Sequence, residues 1–211
     1  MQDEIIYILD LFGTIIFAIT GAVKGVRLRL DFLGVIVFAI TVGCAGGMMR
    51  DALLGITPVA AFVDSAYVAA SALTGLVVFF TAPKFVGRWR VILFCDAIGL
   101  GVFTAIGVEK AMLLDLGVVG QVLSGVIGAV GGGVLRDVFS KEIPSVLNSD
   151  FYATASIMGA LIYIVLEEIP AINGNLCFII AAVSTILIRS YAIDHNLKLP
   201  VARMAGEEKK N

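Results

Sequence analysis

The chain has 211 residues, 59% hydrophobic and 15% charged, with a formal net charge of −2 and a mean hydropathy of +1.01. A soluble domain carries about a quarter charged residues, so composition excludes a water-soluble enzyme, a nucleic-acid-binding protein and a disordered chain. What remains is an all-α polytopic membrane protein, read as a single membrane domain over 1–211.

A spanning helix needs about 20 apolar residues. Seven stretches qualify in chain order: Ile5–Val23, Phe32–Met49, Ala61–Ala82, Val91–Val108, Leu116–Leu135, Phe151–Leu166 and Leu176–Ile193. The first follows Asp3 and Glu4 rather than a positive n-region, and it is long enough to span. It reads as a retained helix and not as a cleaved signal. Seven spans put loops one, three and five on the same side as the tail 194–211. That side carries Lys24, Arg27, Arg29, Lys84, Arg88, Arg90, Lys141, Arg189, Lys198, Arg203, Lys209 and Lys210. The other side carries Lys110, with Arg50 and Arg136 set aside as boundary residues. Twelve basic residues against one predict an N-terminus outside and a C-terminus in the cytoplasm, in a multi-pass inner-membrane protein.

The chain aligns with itself. Shifted by 86 residues, Asp10–Asp64 matches Asp96–Asp150 without a gap at 14 of 55 positions. The matches include Asp10/Asp96, Gly13/Gly99, Phe17/Phe103, Gly21/Gly107, Lys24/Lys110, Gly46/Gly132, Gly47/Gly133, Arg50/Arg136, Asp51/Asp137, Pro58/Pro144 and Asp64/Asp150. Repeat one covers 5–82 and repeat two covers 91–166, with helix seven at 176–193 outside both. A unit of three spans is odd, so the second copy is expected to enter the membrane upside down relative to the first.

The second span of each repeat is rich in glycine, Gly43-Cys44-Ala45-Gly46-Gly47 and Gly128-Ala129-Val130-Gly131-Gly132-Gly133. Each glycine costs a helix roughly 1 kcal/mol against alanine, so these stretches are expected to kink or unwind. Freed carbonyls in lipid survive only inside protein or beside water, and there they can replace part of a cation's hydration shell. The competing role is close packing, since Gly43/Gly47 and Ala129/Gly133 are small-xxx-small pairs. Gly43, Gly46, Gly47, Ala129, Gly131, Gly132, Gly133 and Ser124 are the candidate ion path. Gln121 and Thr41 lie on the same helices, and such side chains often bond only to their own backbone.

Ionisable residues at membrane depth are functional or paired. Asp10 with Arg50, and Asp96 with Arg136, are expected to pair at opposite mouths. They would act as clamps, or as supports for carbonyls freed at the glycines. Lys24 and Lys110 are candidates for a gate or a lipid contact, with Glu109 as a possible partner of Lys110. Asp64 and Asp150 read as helix N-caps. Cys44, Cys95 and Cys177 lie apart in apolar runs, without CxxC spacing. There is one histidine, His195, and no HExxH, P-loop or G-x-S-x-G motif. No metal site, cofactor or enzymatic activity is expected.

The pattern Asp10-x-x-Gly13-x-x-x-Phe17-x-x-x-Gly21-x-x-Lys24, then Gly46-Gly47-x-x-Arg50-Asp51, with its second copy ending in Gly131-Gly132-Gly133-x-x-Arg136-Asp137, resembles the prokaryotic trimeric intracellular cation channel (TRIC) family. That family overlaps bacterial membrane proteins sometimes labelled glycine transporters. The resemblance implies a homotrimer in membrane lipid. Each protomer would hold a pore framed by spans one, two, four and five, and kinked at the glycines. Monovalent cations, potassium or sodium, would be the permeant ligands. The animal channels' Lys-Glu-Val lipid motif is not present as such, the residues here being Val108-Glu109-Lys110. The alternative is a secondary transporter of a small solute such as glycine, with Asp10 or Asp96 as a coupling site.

Overall fold

The structure, a computed structural model, describes residues 2–81, 89–148, 151–197 and 199. Among these residues there are nine helices and no strand: α1 (Gln2–Arg27), α2 (Phe32–Leu53), α3 (Ala60–Val63), α4 (Ser65–Thr81), α5 (Trp89–Met112), α6 (Val118–Phe139), α7 (Ser145–Asn148), α8 (Tyr152–Glu167) and α9 (Gly174–Asp194). Helices satisfy their own backbone polar groups, which an apolar chain in lipid requires. α1, α2, α5, α6 and α9 are long and apolar enough to cross a membrane. α4 and α8 have 17 and 16 residues, roughly 25 Å at the helical rise per residue.

The helices outrun the apolar stretches that announce them. α1 and α5 continue through Lys24 and Lys110, and α2 and α6 through Arg50-Asp51 and Arg136-Asp137. These charges are therefore helical rather than loop residues, and each has a partner of opposite sign. The stretch Ala61–Ala82, expected as one helix, is divided into α3 and α4. Asp64 breaks it with extended backbone, φ −114° and ψ 112°. Its Oδ1 then accepts from the Ala66 N–H at 2.8 Å and its Oδ2 from the Tyr7 hydroxyl at 2.7 Å. These two donors, Ala66 first, hold the Asp64 carboxyl below the usual carboxylate range. Asp150 lies outside the described residues, as does most of the tail.

The same order, two long helices, a single turn and a shorter helix, runs through α1–α4 and again through α5–α8. The contacts between these halves are reciprocal. The Phe103 ring lies where a side chain on Gly13 would go, and the Phe17 ring where one on Gly99 would go. The two rings pack on each other with centroids 5.5 Å apart. α2 and α6 cross in the same manner. A Cβ on Gly46 would collide with the Gly128 carbonyl oxygen, and one on Gly132 would lie 2.7 Å from the Val42 carbonyl oxygen.

α9 has no counterpart in the first half. It docks on α5 and α8 through Val102, Ala105, Ile106, Ala160, Tyr163, Phe178 and Ala181. Two glycines admit it: a Cβ on Gly101 would lie 2.5 Å from the Ala182 carbonyl oxygen, and one on Gly159 would collide with the Thr185 hydroxyl. On the first half the corresponding face of α1 and α4 is an apolar groove of about 440 Å³, lined by Ile15, Ile19, Leu73, Val77 and Val78 among others.

The glycine stretches do not break α2 or α6. Both helices run continuously through 43–47 and 128–133, which corrects the expectation of unwound backbone. Close backbone contact offsets the poor helix propensity of glycine, so no carbonyl needs to be released. Gly46→Ala should therefore destabilise the protein by about 1–3 kcal/mol through overpacking. Gly25→Ala, whose Cβ would meet neighbours only at an ordinary 3.5 Å, should be neutral or stabilising by up to about 1 kcal/mol. Thermal unfolding in detergent distinguishes the two.

Candidate functional site

Four charges form a closed ring where α1, α2 and α5 meet. Arg50, in the last turn of α2, donates from Nε to Asp51 Oδ1 at 2.9 Å and from Nη2 to Asp10 Oδ2 at 3.2 Å. Lys110 reaches across from α5, its Nζ 3.2 Å from Asp51 Oδ1 and 3.6 Å from Asp10 Oδ2. The ring alternates in sign and sums to zero, the condition under which buried charges are tolerated. Asp51 Oδ2 accepts from the Ala60 N–H at 3.3 Å, and the Tyr67 hydroxyl lies 3.5 Å from Asp10 Oδ2. α3 and α4 are thereby tied to the same ring.

The second half repeats the arginine and its carboxylates. Arg136 donates from Nη1 to Asp96 Oδ1 at 2.6 Å and from Nε to Asp137 Oδ1 at 3.0 Å. Asp137 Oδ2 accepts the N–H and the hydroxyl of Ser145, both at 2.7 Å. The lysine differs. Lys24 matches Lys110 in sequence, but its Nζ lies 2.6 Å from both carboxylate oxygens of Glu142. In the self-alignment Glu142 stands opposite Ile56, so Asp10 and Asp51 have no such competitor for Lys110.

The arginines thus bind carboxylates, not carbonyls freed at the glycines. Nor does Lys110 turn to Glu109, because adjacent helical residues face different directions. Ser124, Thr41 and Gln121 donate to the carbonyls of Gly107, Val37 and Leu116 at 2.6, 2.8 and 2.7 Å. Gly43, Gly46, Gly131 and Gly132 lie in helix contacts, Gly131 facing Met49 Sδ and the Gly46 backbone. Ala129 is fully buried in the packed core.

Gly47 is different. A Cβ there would meet only Arg50 Nη2 at 3.6 Å and the Phe103 ring at 3.8 Å. Beside it is a cavity of about 10 Å³ lined by Asp10, Thr14, Cys44, Arg50 and Tyr67 among others. That is about the space one water occupies. Arg50 is 1% exposed, and its Nη1 has no hydrogen-bond partner among the described residues.

Two buried residues escape a reading by repeats. Arg189 belongs to α9 and is 3% exposed, so it does not belong with the cytoplasmic loop charges. Its guanidinium lies 4.8 Å from the ring centroid of Tyr152, the first residue of α8. A charge inside an apolar span was the sequence signal for Arg189. Tyr152 carried no such signal.

The family model described as "Glycine transporter" matches residues 7–83 and 93–168. The chain is 39% identical over 204 residues to a UPF0126 membrane protein of Vibrio cholerae, covering 95% of this chain and 84% of that protein. It is 36% identical over 198 residues to a UPF0126 inner membrane protein of Escherichia coli K12, covering 93% and 95% of the two. Among solved structures it is similar to the TRIC trimeric intracellular cation channel orthologue from Rhodobacter sphaeroides. There the TM-score is 0.87 at 33% identity, over 92% of this chain and 99% of the other.

The two charged clusters generate one stability expectation. Arg50→Gln leaves Asp10 and Asp51 to share Lys110 and should cost about 3–5 kcal/mol, as breaking a buried ion pair does. Lys24→Gln should cost about 1 kcal/mol or less, because its partner Glu142 has a half-exposed side chain and solvent can take over. Equilibrium unfolding of both variants in the same detergent tests the difference.

Proposed function

This chain belongs to the family that unites the bacterial UPF0126 membrane proteins with the trimeric intracellular cation channels, and on that footing we propose that it is a channel for monovalent cations, chiefly potassium. The observation that carries this reading is the structural likeness to a TRIC channel over nearly the whole of both chains, at 33% identity. No enzymatic family is indicated by the relatives.

In this reading α4 and α8 span together with the five longer helices. The seven spans then form two inverted three-helix repeats and one extra helix, in a bacterial inner membrane. The N-terminus lies outside and the C-terminus in the cytoplasm. The Escherichia coli relative, described as an inner membrane protein, supports that location. Three protomers assemble as the name of the Rhodobacter orthologue states for that protein.

Each protomer holds its own path, framed by α1, α2, α5 and α6. The two arginine–carboxylate clusters mark its ends. Between them α2 and α6 meet through glycine backbone, at Gly46 against the Gly128 carbonyl and Gly132 against the Val42 carbonyl. Separating these surfaces exposes backbone at both contacts and lifts the Met49 and Arg50 side chains off Gly131 and Gly128. Each carbonyl also retains a second lone pair beyond its helical hydrogen bond, available to a passing cation. In the arrangement described, these contacts narrow the path between its ends. Arg50 and Arg136 hold the ends of α2 and α6 to α1 and α5 while the crossing moves.

A second reading is favoured by the family model's own description, glycine transport, with Asp10 or Asp96 as the coupling site. Planar bilayers with potassium on both sides separate the two. The channel reading predicts discrete unitary currents and a reversal potential that follows a potassium gradient. Saturable glycine uptake into liposomes, lost in Asp96→Asn and unaccompanied by unitary current, would establish the transporter instead.

A further inference from the structure

The two ends of the path also differ beside one pair of matched glycines. Gly47 and Gly133 match in the self-alignment, and each faces the arginine three residues on. The position of a Cβ would lie 3.6 Å from Arg50 Nη2 in the first half and 3.8 Å from Arg136 Nη2 in the second. The frames agree, but what fills the remaining space does not. Beside Gly47 lies the small polar cavity. Beside Gly133 stands the Tyr152 hydroxyl, 2.7 Å from where a Cβ would be.

The walls change in the same sense. Thr14 and Cys44, which line the cavity, correspond to Leu100 and Val130, both buried in the apolar core with Tyr152. Tyr67, the tyrosine near the start of α4, turns its hydroxyl to Asp10. Tyr152 comes from the first residue of α8 and directly follows Phe151, whose φ is +57°. That left-handed conformation is costly for a residue other than glycine, and such strain persists only where the surroundings impose it. Tyr152 is 2% exposed, and its hydroxyl is buried facing the Asp96 carboxylate that Arg136 also binds. Asp96, Arg136 and Arg189 are the charged groups that act on it. Arg189 lies over its ring, an attraction of cation for aromatic face, and it comes from the one helix that the first half lacks.

We propose that Tyr152 is the plug that closes the second-half end of the ion path, seated against Gly133 and positioned by Arg189 of α9. This rests on the channel reading above. Opening swings the ring away from Gly133 and exchanges the hydroxyl's buried surroundings for water. The path is thereby closed from one end and hydrated at the other. α9, which stands outside the repeat, becomes the element that sets how often it opens.

The test uses the full chain in phosphatidylethanolamine–phosphatidylglycerol liposomes and bilayers. Tyr152→Ala should raise potassium flux and open probability about ten-fold or more, a shift of one decade in a closed–open equilibrium. Tyr152→Phe, which keeps the ring, should stay within about two-fold of the parent, and Arg189→Met should fall between. A second readout does not depend on conduction. In a chain carrying C44A, C95A and C177A, the thiol of G133C should react with a water-soluble methanethiosulfonate much faster alongside Y152A than alongside Y152F. Variants are compared only where their size-exclusion elution matches the parent. Equal thiol reactivity in the two backgrounds, or parental flux in Tyr152→Ala, overturns the plug. Absence of current in the parent and all variants, with thiol reactivity still differing, removes the channel reading and leaves the occlusion by Tyr152 standing.

Discussion

Where α2 crosses α6, the two backbones touch. The Gly46 backbone meets the Gly128 carbonyl and the Gly132 backbone meets the Val42 carbonyl, and this contact fixes the distance between the two halves of the molecule. Other close approaches are consistent with it. Phe17 and Phe103 interleave over Gly99 and Gly13 because α1 and α5 are drawn together by the same geometry. In lipid there is little hydrophobic gain from joining two apolar helices, so close packing has to supply the attraction. Small residues at the crossing supply it by bringing many atoms to van der Waals distance.

That approach also explains how the charges can be buried. Lys110 lies in the second half, but its carboxylates, Asp10 and Asp51, lie in the first. Lys24 lies in the first half and its partner Glu142 in the second. Each half thus exchanges a lysine with the other, and neither neutralises its own charges alone. Arg50 and Arg136 instead act within their halves, binding the end of α2 to α1 and the end of α6 to α5. The arginines stiffen each half, and the lysines tie the halves together. Any motion at the glycine crossing has to be accommodated by the lysine contacts first, because those alone among these pairs span it.

Much of this was legible in the residues. The 86-residue shift aligns Asp, Lys, Arg and Pro together, which chance in an apolar chain does not do. A carboxylate and an arginine at membrane depth on neighbouring helices have few partners but each other. The exchange of lysines was not legible, because it depends on how the two halves face, and neither periodicity nor spacing carries that. The unbroken α2 and α6 were missed for a related reason. Helix propensity prices each glycine as an isolated residue, whereas here most of the glycines have a neighbouring backbone or side chain in the place of a Cβ. The split at Asp64 was half visible: its capping role could be read, but not that the residues before it would make a turn of their own.

The departures from symmetry are where the two halves acquire different tasks. Gly101 and Gly159 in the second half admit α9, whereas the matching face of the first half keeps Ile15 and a groove. Thr14 and Cys44 leave a polar void in the first half, whereas Leu100, Val130 and Tyr152 fill the second. These differences are linked through one residue. α9 is seated by the two glycines, its seat places Arg189 over Tyr152, and Tyr152 occupies the space that stays open beside Gly47. A duplicated structure with identical halves would have two identical ends. Adding a single helix to one face makes the ends unequal, and inequality between the ends is what a one-sided closure requires.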